Sequence, residues 1–254
     1  MVLFQLKKLM YICHRQNEIL PNDLINWNGA MQNLLNYEID GGVRAFTAGR
    51  DAVLPCEVIQ PHQTHSVVVA HIDRPGLTRK DLEGVDALVT NLRGVAIGVR
   101  TADCIPVLLY DPVQRAAGAV HSGWRGTVNM ISKKTVLEMC RLFKSKPENI
   151  RAVICPGIGV DSFQVGEEVA LLFKNSGFPI DRVWSFRGAR KEGTMEGGHH
   201  LDLKECVRLS LVQCGVREAN ISISDIDTYT DDRFYSARRE GTSCGRNINA
   251  IMIL

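Results

Sequence analysis

Short apolar runs rich in valine and isoleucine recur along the chain, separated by turn-forming residues. Runs of about four to eight such residues are typical of β-strands, and those that are apolar at every position predict strands covered on both faces. The pattern predicts strands at 43–47, 66–72, 86–90, 94–99, 105–110, 116–121, 151–155, 221–225 and 248–254.

Three other segments repeat apolar residues at helical spacing, which predicts amphipathic helices at 127–145, 166–177 and 202–215. Thr127 and Asp202 are expected to cap the first and third helices, and Gly177 and Gly215 to end the second and third. Strands followed by helices and then by more strands favour an α/β (α+β) fold with mixed β-sheets and outer helices over a strictly alternating doubly wound fold.

The composition indicates a globular protein and excludes several functions. The 254 residues are 45% hydrophobic and 23% charged. A net charge of +2 without a basic block argues against nucleic acid as a partner. No apolar run reaches the length of about 18 residues that a transmembrane helix needs, and Lys7 and Lys8 interrupt the apolar start, unlike a signal peptide. We expect a cytoplasmic protein with no membrane partner.

Cys104 and His121 are predicted to meet in a hairpin. Strand 105–110 starts directly after Cys104, a turn at 111–116 reverses the chain, and strand 116–121 ends at His121. In an antiparallel pair, the start of one strand lies beside the end of the other. The eight cysteines include no C-x-x-C pair, so most are expected to be small buried hydrophobic residues.

His62, Gln63 and His65 stand directly before the predicted strand 66–72. Because a strand alternates its faces, His62 and His65 are predicted to point to opposite sides, so that only one joins a common site. His65, Cys104 and His121 together offer the ligand types of zinc, and three protein ligands leave a position open for water.

Three other interpretations of these residues stay open. His121 can lower the pKa of Cys104 and serve as the base for a thiolate nucleophile, in a hydrolase or deamidase that acts on a peptide or a cell-wall precursor. Alternatively, the three residues can be purely structural, as a buried cysteine and two hydrogen-bonded histidines. The protein can also be a metal- or nucleoside-binding module without turnover.

The segment SGWRGT, residues 122–127, follows His121 directly. Gly123 and Gly126 allow the backbone to approach a ligand closely, and the planar guanidinium of Arg125 suits phosphate or carboxylate. The amides that begin the predicted helix offer a further place for an anion. Trp124 is expected to pack in the core.

Three motifs resemble the signature stretches of the laccase-domain family, also called the polyphenol oxidase-like or multi-copper polyphenol oxidase family. They are QTH at 63–65, TADCIPVLLYDP at 101–112 and AAGAVHSGWRGT at 116–127, with supporting stretches at 86–90, 156–169, 201–203 and 234–246. The resemblance covers residues 43–254. It implies a single domain over 1–254, with 1–42 as an N-terminal extension.

The resemblance implies a four-layer α-β-β-α arrangement with mixed sheets, similar to cysteine hydrolases. Members of this family are understood as purine nucleoside phosphorylases that cleave adenosine, inosine, guanosine or methylthioadenosine with phosphate, and that also deaminate adenosine. The expected partners are therefore purine nucleosides and phosphate. The expected oligomeric state is a monomer or a homodimer. Zinc is the usual metal. Copper is less favoured, because a multicopper oxidase needs roughly ten histidines, whereas this chain has seven.

The family's metal-binding set falls on His65, Cys104 and His121, which are also the predicted catalytic residues. From their positions, Asp103 is a candidate for handling protons, and the candidates for binding substrate are Arg125, Gln63, Arg50 and Arg239. Three departures from the family pattern concern substrate choice. The glycine pair after the early arginine is missing around Arg50, the segment before SARR lacks a cysteine that relatives often have, and Gln164 replaces a common acidic residue.

Overall fold

The computed structural model describes residues 33–191 and 194–254. The strands are β1 Leu34–Tyr37, β2 Val43–Ala48, β3 Val58–Ile59, β4 Val69–His71, β5 Ala87–Thr90, β6 Ala96–Thr101, β7 Ile105–Asp111, β8 Ala116–Ser122, β9 Arg151–Ile154, β10 Gln164–Val165, β11 Trp184–Lys191, β12 Thr194–Leu201, β13 Ile221–Ile223 and β14 Asn247–Ile253. The α-helices are α1 Trp124–Val128, α2 Ile131–Phe143, α3 Glu167–Asn175, α4 Ile180–Val183, α5 Leu203–Gln213 and α6 Ala237–Glu240, with 3-10 turns at Pro147–Asn149 and Glu218–Asn220.

The strands form two mixed sheets and a small antiparallel one. A five-stranded sheet has the order β1-β2-β14-β6-β3, in which β3 is parallel to β6, and a six-stranded sheet has the order β13-β9-β7-β8-β5-β4, with parallel pairs at both ends. The third sheet has the order β10-β12-β11. The predicted α+β class with mixed sheets is confirmed.

Side-chain alternation along β7 divides the core into two parts. Val107 and Leu109 pack with the buried faces of α2 and α5, whereas Leu108 and Tyr110 pack against the five-stranded sheet. A fully buried leucine side chain such as Leu108 contributes on the order of 2 kcal/mol to stability. In the described residues there are three layers: the helices, then the six-stranded sheet, then the five-stranded sheet. The four-layer detail, the likeness to cysteine hydrolases and the domain limits stay predictions.

The predicted hairpin is present. In the β7–β8 pair, Pro106 lies opposite His121 and Ile105 opposite Ser122. The carboxylate of Asp111 accepts hydrogen bonds from the amides of the turn, Val113 N at 2.9 Å and Gln114 N at 3.2 Å. The turn therefore fixes the register that brings the start of β7 beside the end of β8.

The predicted helix 127–145 is wrong at its start. The chain turns helical at Trp124, breaks after Val128 and resumes as α2, with Met130 left-handed at φ 61°. Thr127 is not an N-cap, because its amide and its hydroxyl both bond to Gly123 O inside α1. A short helix therefore directly follows the strand that carries His121.

The other helix signals are confirmed. Asp202 caps α5 by accepting a hydrogen bond from Glu205 N at 2.9 Å. Gly177 and Gly215 adopt left-handed φ values of 85° and 99° after α3 and α5. Of the helices in the described ranges, none has the length and apolar character needed to cross a bilayer.

Candidate metal centre

His65, Cys104 and His121 converge on one point. Their ligand atoms all lie within 4.8 Å of one another. Cys104 Sγ is 3.8 Å from His65 Nε2, and the two imidazole rings meet edge to face with centroids 4.9 Å apart. His65 is exposed and His121 is buried, so the cluster opens to solvent on the His65 side.

Each member of this cluster is held by different local structure. Cys104 lies in the loop between β6 and β7, and His121 lies near the end of β8. His65 has a left-handed φ of 62° in a loop, because strand β4 begins only at Val69 and not at residue 66 as predicted. The imidazole of His62 pairs with Glu83 and is not part of the cluster. Only one of the two histidines joins the site, as predicted, although both lie in a loop and strand alternation is not the reason.

Asp86 joins the parts of this site, in a role that the sequence pattern did not predict. The carboxylate is fully buried and accepts a hydrogen bond from His121 Nδ1 at 2.6 Å. It also accepts the backbone amides of residues 64–66 at 2.7–3.1 Å. One side chain therefore orients His121 and shapes the loop that presents His65. The signal was an acidic residue at the start of the apolar stretch 86–90.

Cys104 and His121 each stabilise the charged form of the other. Burial alone would raise the pKa of the Cys104 thiol, but His121 and His65 outweigh it and lower the pKa to about 6. Burial alone would lower the pKa of His121, but Cys104 and Asp86 raise it to about 9. The geometry thus favours a thiolate at Cys104, which is the form that binds metal or acts as a nucleophile.

Gly123 packs directly against His65 and Cys104. A Cβ added at this position would lie 2.9 Å from His65 Cδ2 and 3.0 Å from Cys104 Sγ. Side chains do not approach so closely, so the site requires glycine here. The close approach predicted for Gly123 is thus made to the cluster residues themselves.

The donor set fits zinc. A tetrahedral ion with Zn–N of about 2.0 Å and Zn–S of about 2.3 Å separates its ligand atoms by about 3.3–3.5 Å. The 3.8 Å between Cys104 Sγ and His65 Nε2 is close to this separation, and the other pairs, which lie within 4.8 Å, must close further to hold an ion. Because His121 Nδ1 donates to Asp86, Nε2 is the imidazole atom that can bind a metal, once it has given up the proton that the raised pKa of His121 keeps on it in the metal-free cluster.

Asp103, the candidate for handling protons, lies beside Cys104 but has both carboxylate oxygens engaged. Oδ1 accepts from Thr228 Oγ1 at 2.8 Å, and Oδ2 accepts from Arg238 N at 2.7 Å. Its backbone carbonyl accepts from Ile158 N at 2.8 Å. Asp103 therefore fastens two other segments of the chain around the Cys104 loop.

The candidate substrate-binding arginines lie in different surroundings. Arg125 is exposed and stacks on Trp124, with Cζ 4.3 Å from the ring centroid. Arg50 and Arg239 converge on Glu240 Oε1, at 2.7 and 2.8 Å, and donate to loop carbonyls. The side chain of Gln63 pairs with the backbone N and O of Arg100, both at 2.8 Å. The roles of these four residues in binding substrate stay predictions.

Two relatives share much of this chain. A purine nucleoside phosphorylase from Bacteroides thetaiotaomicron is 40% identical over 207 residues, which cover 79% of this chain and 74% of the relative. Adenosine deaminase RL5, from an unknown prokaryotic organism, is 38% identical over 231 residues and covers 86% of each chain.

Solved structures and a family model agree with these relatives. The crystal structure of the hypothetical protein YfiH of Bacillus licheniformis matches with a TM-score of 0.69 at 30% identity, covering 78% of this chain and 74% of that chain. A Neisseria meningitidis protein matches with a TM-score of 0.72 at 25% identity, covering 87% and 99%. A family model described as multi-copper polyphenol oxidoreductase laccase matches residues 43–254. The chain belongs to this laccase-like family.

Proposed function

We propose that this chain is a zinc-dependent purine nucleoside phosphorylase that also deaminates adenosine. Its substrates are adenosine, inosine, guanosine and methylthioadenosine, with phosphate as the second substrate. The observation that carries the proposal is the cluster of His65, Cys104 and His121 within 4.8 Å. Relatives named for the two activities support it.

His65, Cys104 and His121 would hold the zinc ion, with Asp86 fixing the tautomer of His121. When bound, zinc supplies Lewis acidity at a coordination position that three protein ligands leave open. The exposed side of His65 gives substrate access to that position. Hydrogen bonds from the backbone amides of His65 and Ser66 to the Asp86 carboxylate hold the His65 loop in place. The site is therefore preorganised before substrate binds.

Phosphorolysis breaks the bond between the purine nitrogen and C1′ of the ribose and forms a bond between C1′ and a phosphate oxygen. The proton that the phosphate loses is taken up by the purine nitrogen. The products are the free purine and ribose 1-phosphate, or methylthioribose 1-phosphate when methylthioadenosine is the substrate. Arg125 is the candidate that binds phosphate, because its guanidinium is exposed and pairs with no carboxylate within the described ranges. Deamination takes up water and releases ammonia, so adenosine becomes inosine without phosphate.

The remaining candidates act through the loops that they hold. Asp103 positions the Cys104 loop against Thr228 and Arg238. Arg50 and Arg239 hold the segment around Glu240, and Gln63 ties the His65 loop to β6. We propose that these residues shape the nucleoside side of the site.

A second candidate function is supported by the arrangement of Cys104, His121 and Asp86. A thiol whose pKa is lowered to about 6, next to a histidine oriented by a buried carboxylate, has the parts of a nucleophilic hydrolase or deamidase. In that case the Cys104 thiolate would attack a carbonyl carbon of the substrate and no metal would be required.

Metal content and activity of wild type and Cys104→Ser separate the two functions. The proposed phosphorylase contains about one zinc per chain, and Cys104→Ser loses both zinc and phosphorolysis. An active wild type that stays active after chelation, and that thiol alkylation inactivates, would instead establish the nucleophile and overturn the proposal.

A further inference from the structure

Two arginines from separate parts of the chain lie near the same end of the five-stranded sheet, and the charge of a third acts on one of them. Arg100 belongs to β6, and Arg246 directly precedes β14. Ile248 lies opposite Arg100 in the antiparallel pair, so Arg246, two residues before Ile248, lies near the same end of the sheet as Arg100. Arg79, from the loop between β4 and β5, adds its charge to the same place.

Arg100 is held firmly but its charge has no counterpart. The backbone N and O of Arg100 both bond to the side chain of Gln63 at 2.8 Å. Across residues 33–191 and 194–254, no ion pair involves Arg79, Arg100 or Arg246. Arg246 donates to the carbonyls of residues 242, 244 and 245, which leaves its positive charge uncompensated.

A half-buried arginine whose charged neighbours are positive is unfavourable without an anion. Burial, together with the charges of Arg79 and Arg246, lowers the pKa of Arg100. The loops and strands that carry these residues are tied together by Gln63 and by the β6–β14 pairing. The arginines are therefore arranged in advance to receive an anion.

We propose that Arg79, Arg100 and Arg246 form a binding site for a phosphate group, separate from Arg125. Guanidinium groups match the geometry of phosphate oxygens and bind them with charge-assisted hydrogen bonds. The phosphate group can be free orthophosphate or the phosphate of a nucleotide. This site goes beyond the proposed phosphorylase and does not depend on its turnover.

Calorimetric titration of the full chain with orthophosphate, at constant ionic strength, tests the site. The titration uses Arg125→Gln protein, so that Arg125 does not contribute. We expect Arg125→Gln to bind phosphate and the added change Arg100→Gln to weaken the Kd by at least about tenfold, which corresponds to about 1.4 kcal/mol. Arg79→Gln, at an exposed loop position, should also weaken the Kd. Arg44→Gln, on β2 of the same sheet, is the matched control and should leave the Kd unchanged.

A second titration with adenosine 5′-monophosphate and with adenosine identifies the source of the phosphate group. Tighter binding of the monophosphate than of orthophosphate, lost in Arg100→Gln, assigns the site to a nucleotide, whereas equal binding assigns it to free phosphate. The proposal is overturned if Arg125→Gln binds neither anion, or if Arg100→Gln and Arg79→Gln bind both as tightly as the control. An inactive phosphorylase would not affect either result.

Discussion

The carboxylate of Asp86 accepts the Nδ1 proton of His121 at 2.6 Å, with both side chains buried. This bond leaves Nε2 of the imidazole as the atom that can bind a metal. The same carboxylate accepts the amide of His65 at 3.1 Å. Asp86 therefore sets the orientation of one ligand and the position of another, although it is not a ligand itself.

Asp86→Asn is expected to weaken zinc binding by about 10- to 100-fold, because an amide cannot accept the imidazole proton and the backbone amides as the carboxylate does. Titration against a competing chelator measures this change. Asp73→Asn, at an exposed position beside Arg74, is the control. Equal zinc affinity in Asp86→Asn and the control would show that Asp86 has no orienting role.

Gly123→Ala is expected to displace the ligands, since the added Cβ would lie 2.9 Å from His65 and 3.0 Å from Cys104. The variant should fold but lose most of its bound zinc, which metal analysis of the purified protein detects. Gly41→Ala adds a methyl group with no atom within 4 Å and should keep its zinc. Full zinc occupancy in Gly123→Ala would contradict the close packing described for this site.

Alkylation of Cys104 in metal-free protein should follow the lowered pKa of its thiol. A lowered pKa means that the thiolate persists to lower pH, so the rate with iodoacetamide should rise through about pH 6 and then level off. Cys244, whose pKa is raised by burial, should react only at higher pH and serves as the internal control in peptide mass spectrometry. In His121→Ala the midpoint for Cys104 should move upward. A midpoint that does not move would remove His121 as the cause.

Asp103→Asn is expected to lower stability by about 1–3 kcal/mol while leaving zinc bound, because Arg238 N loses its charged acceptor. Hydrogen exchange should increase in residues 228–240 and not in β7 or β8. Asp232→Asn, at an exposed position of the same segment, is the control. Loss of zinc in Asp103→Asn would instead place Asp103 within the metal site.

The sequence predicted the part of the site that depends on local pattern. Two apolar runs joined by a short turn predict an antiparallel pair, and this pairing places Cys104 near His121. The contribution of Asp86 depends on a loop 20 residues away that bonds to it in three places, which no periodicity records. The break at Met130 depends on a left-handed residue, where the apolar pattern predicted a continuous helix.

The hydrogen-bond partners of the arginines could not be predicted from the sequence either. Arg50 and Arg239 meet at Glu240 although they lie 189 positions apart in the chain, and the spacing of residues does not indicate such a contact. Arg100 was not singled out, because an arginine inside an apolar strand shows its missing partner only when its neighbours in space are known.

The most direct test of the proposed function is incubation of the purified protein with inosine, in the presence and absence of phosphate. We expect hypoxanthine and ribose 1-phosphate to form in equal amounts, only with phosphate, and Cys104→Ser to form neither. If no phosphate-dependent product forms from inosine, adenosine, guanosine or methylthioadenosine with zinc-loaded wild type, the chain is not a purine nucleoside phosphorylase.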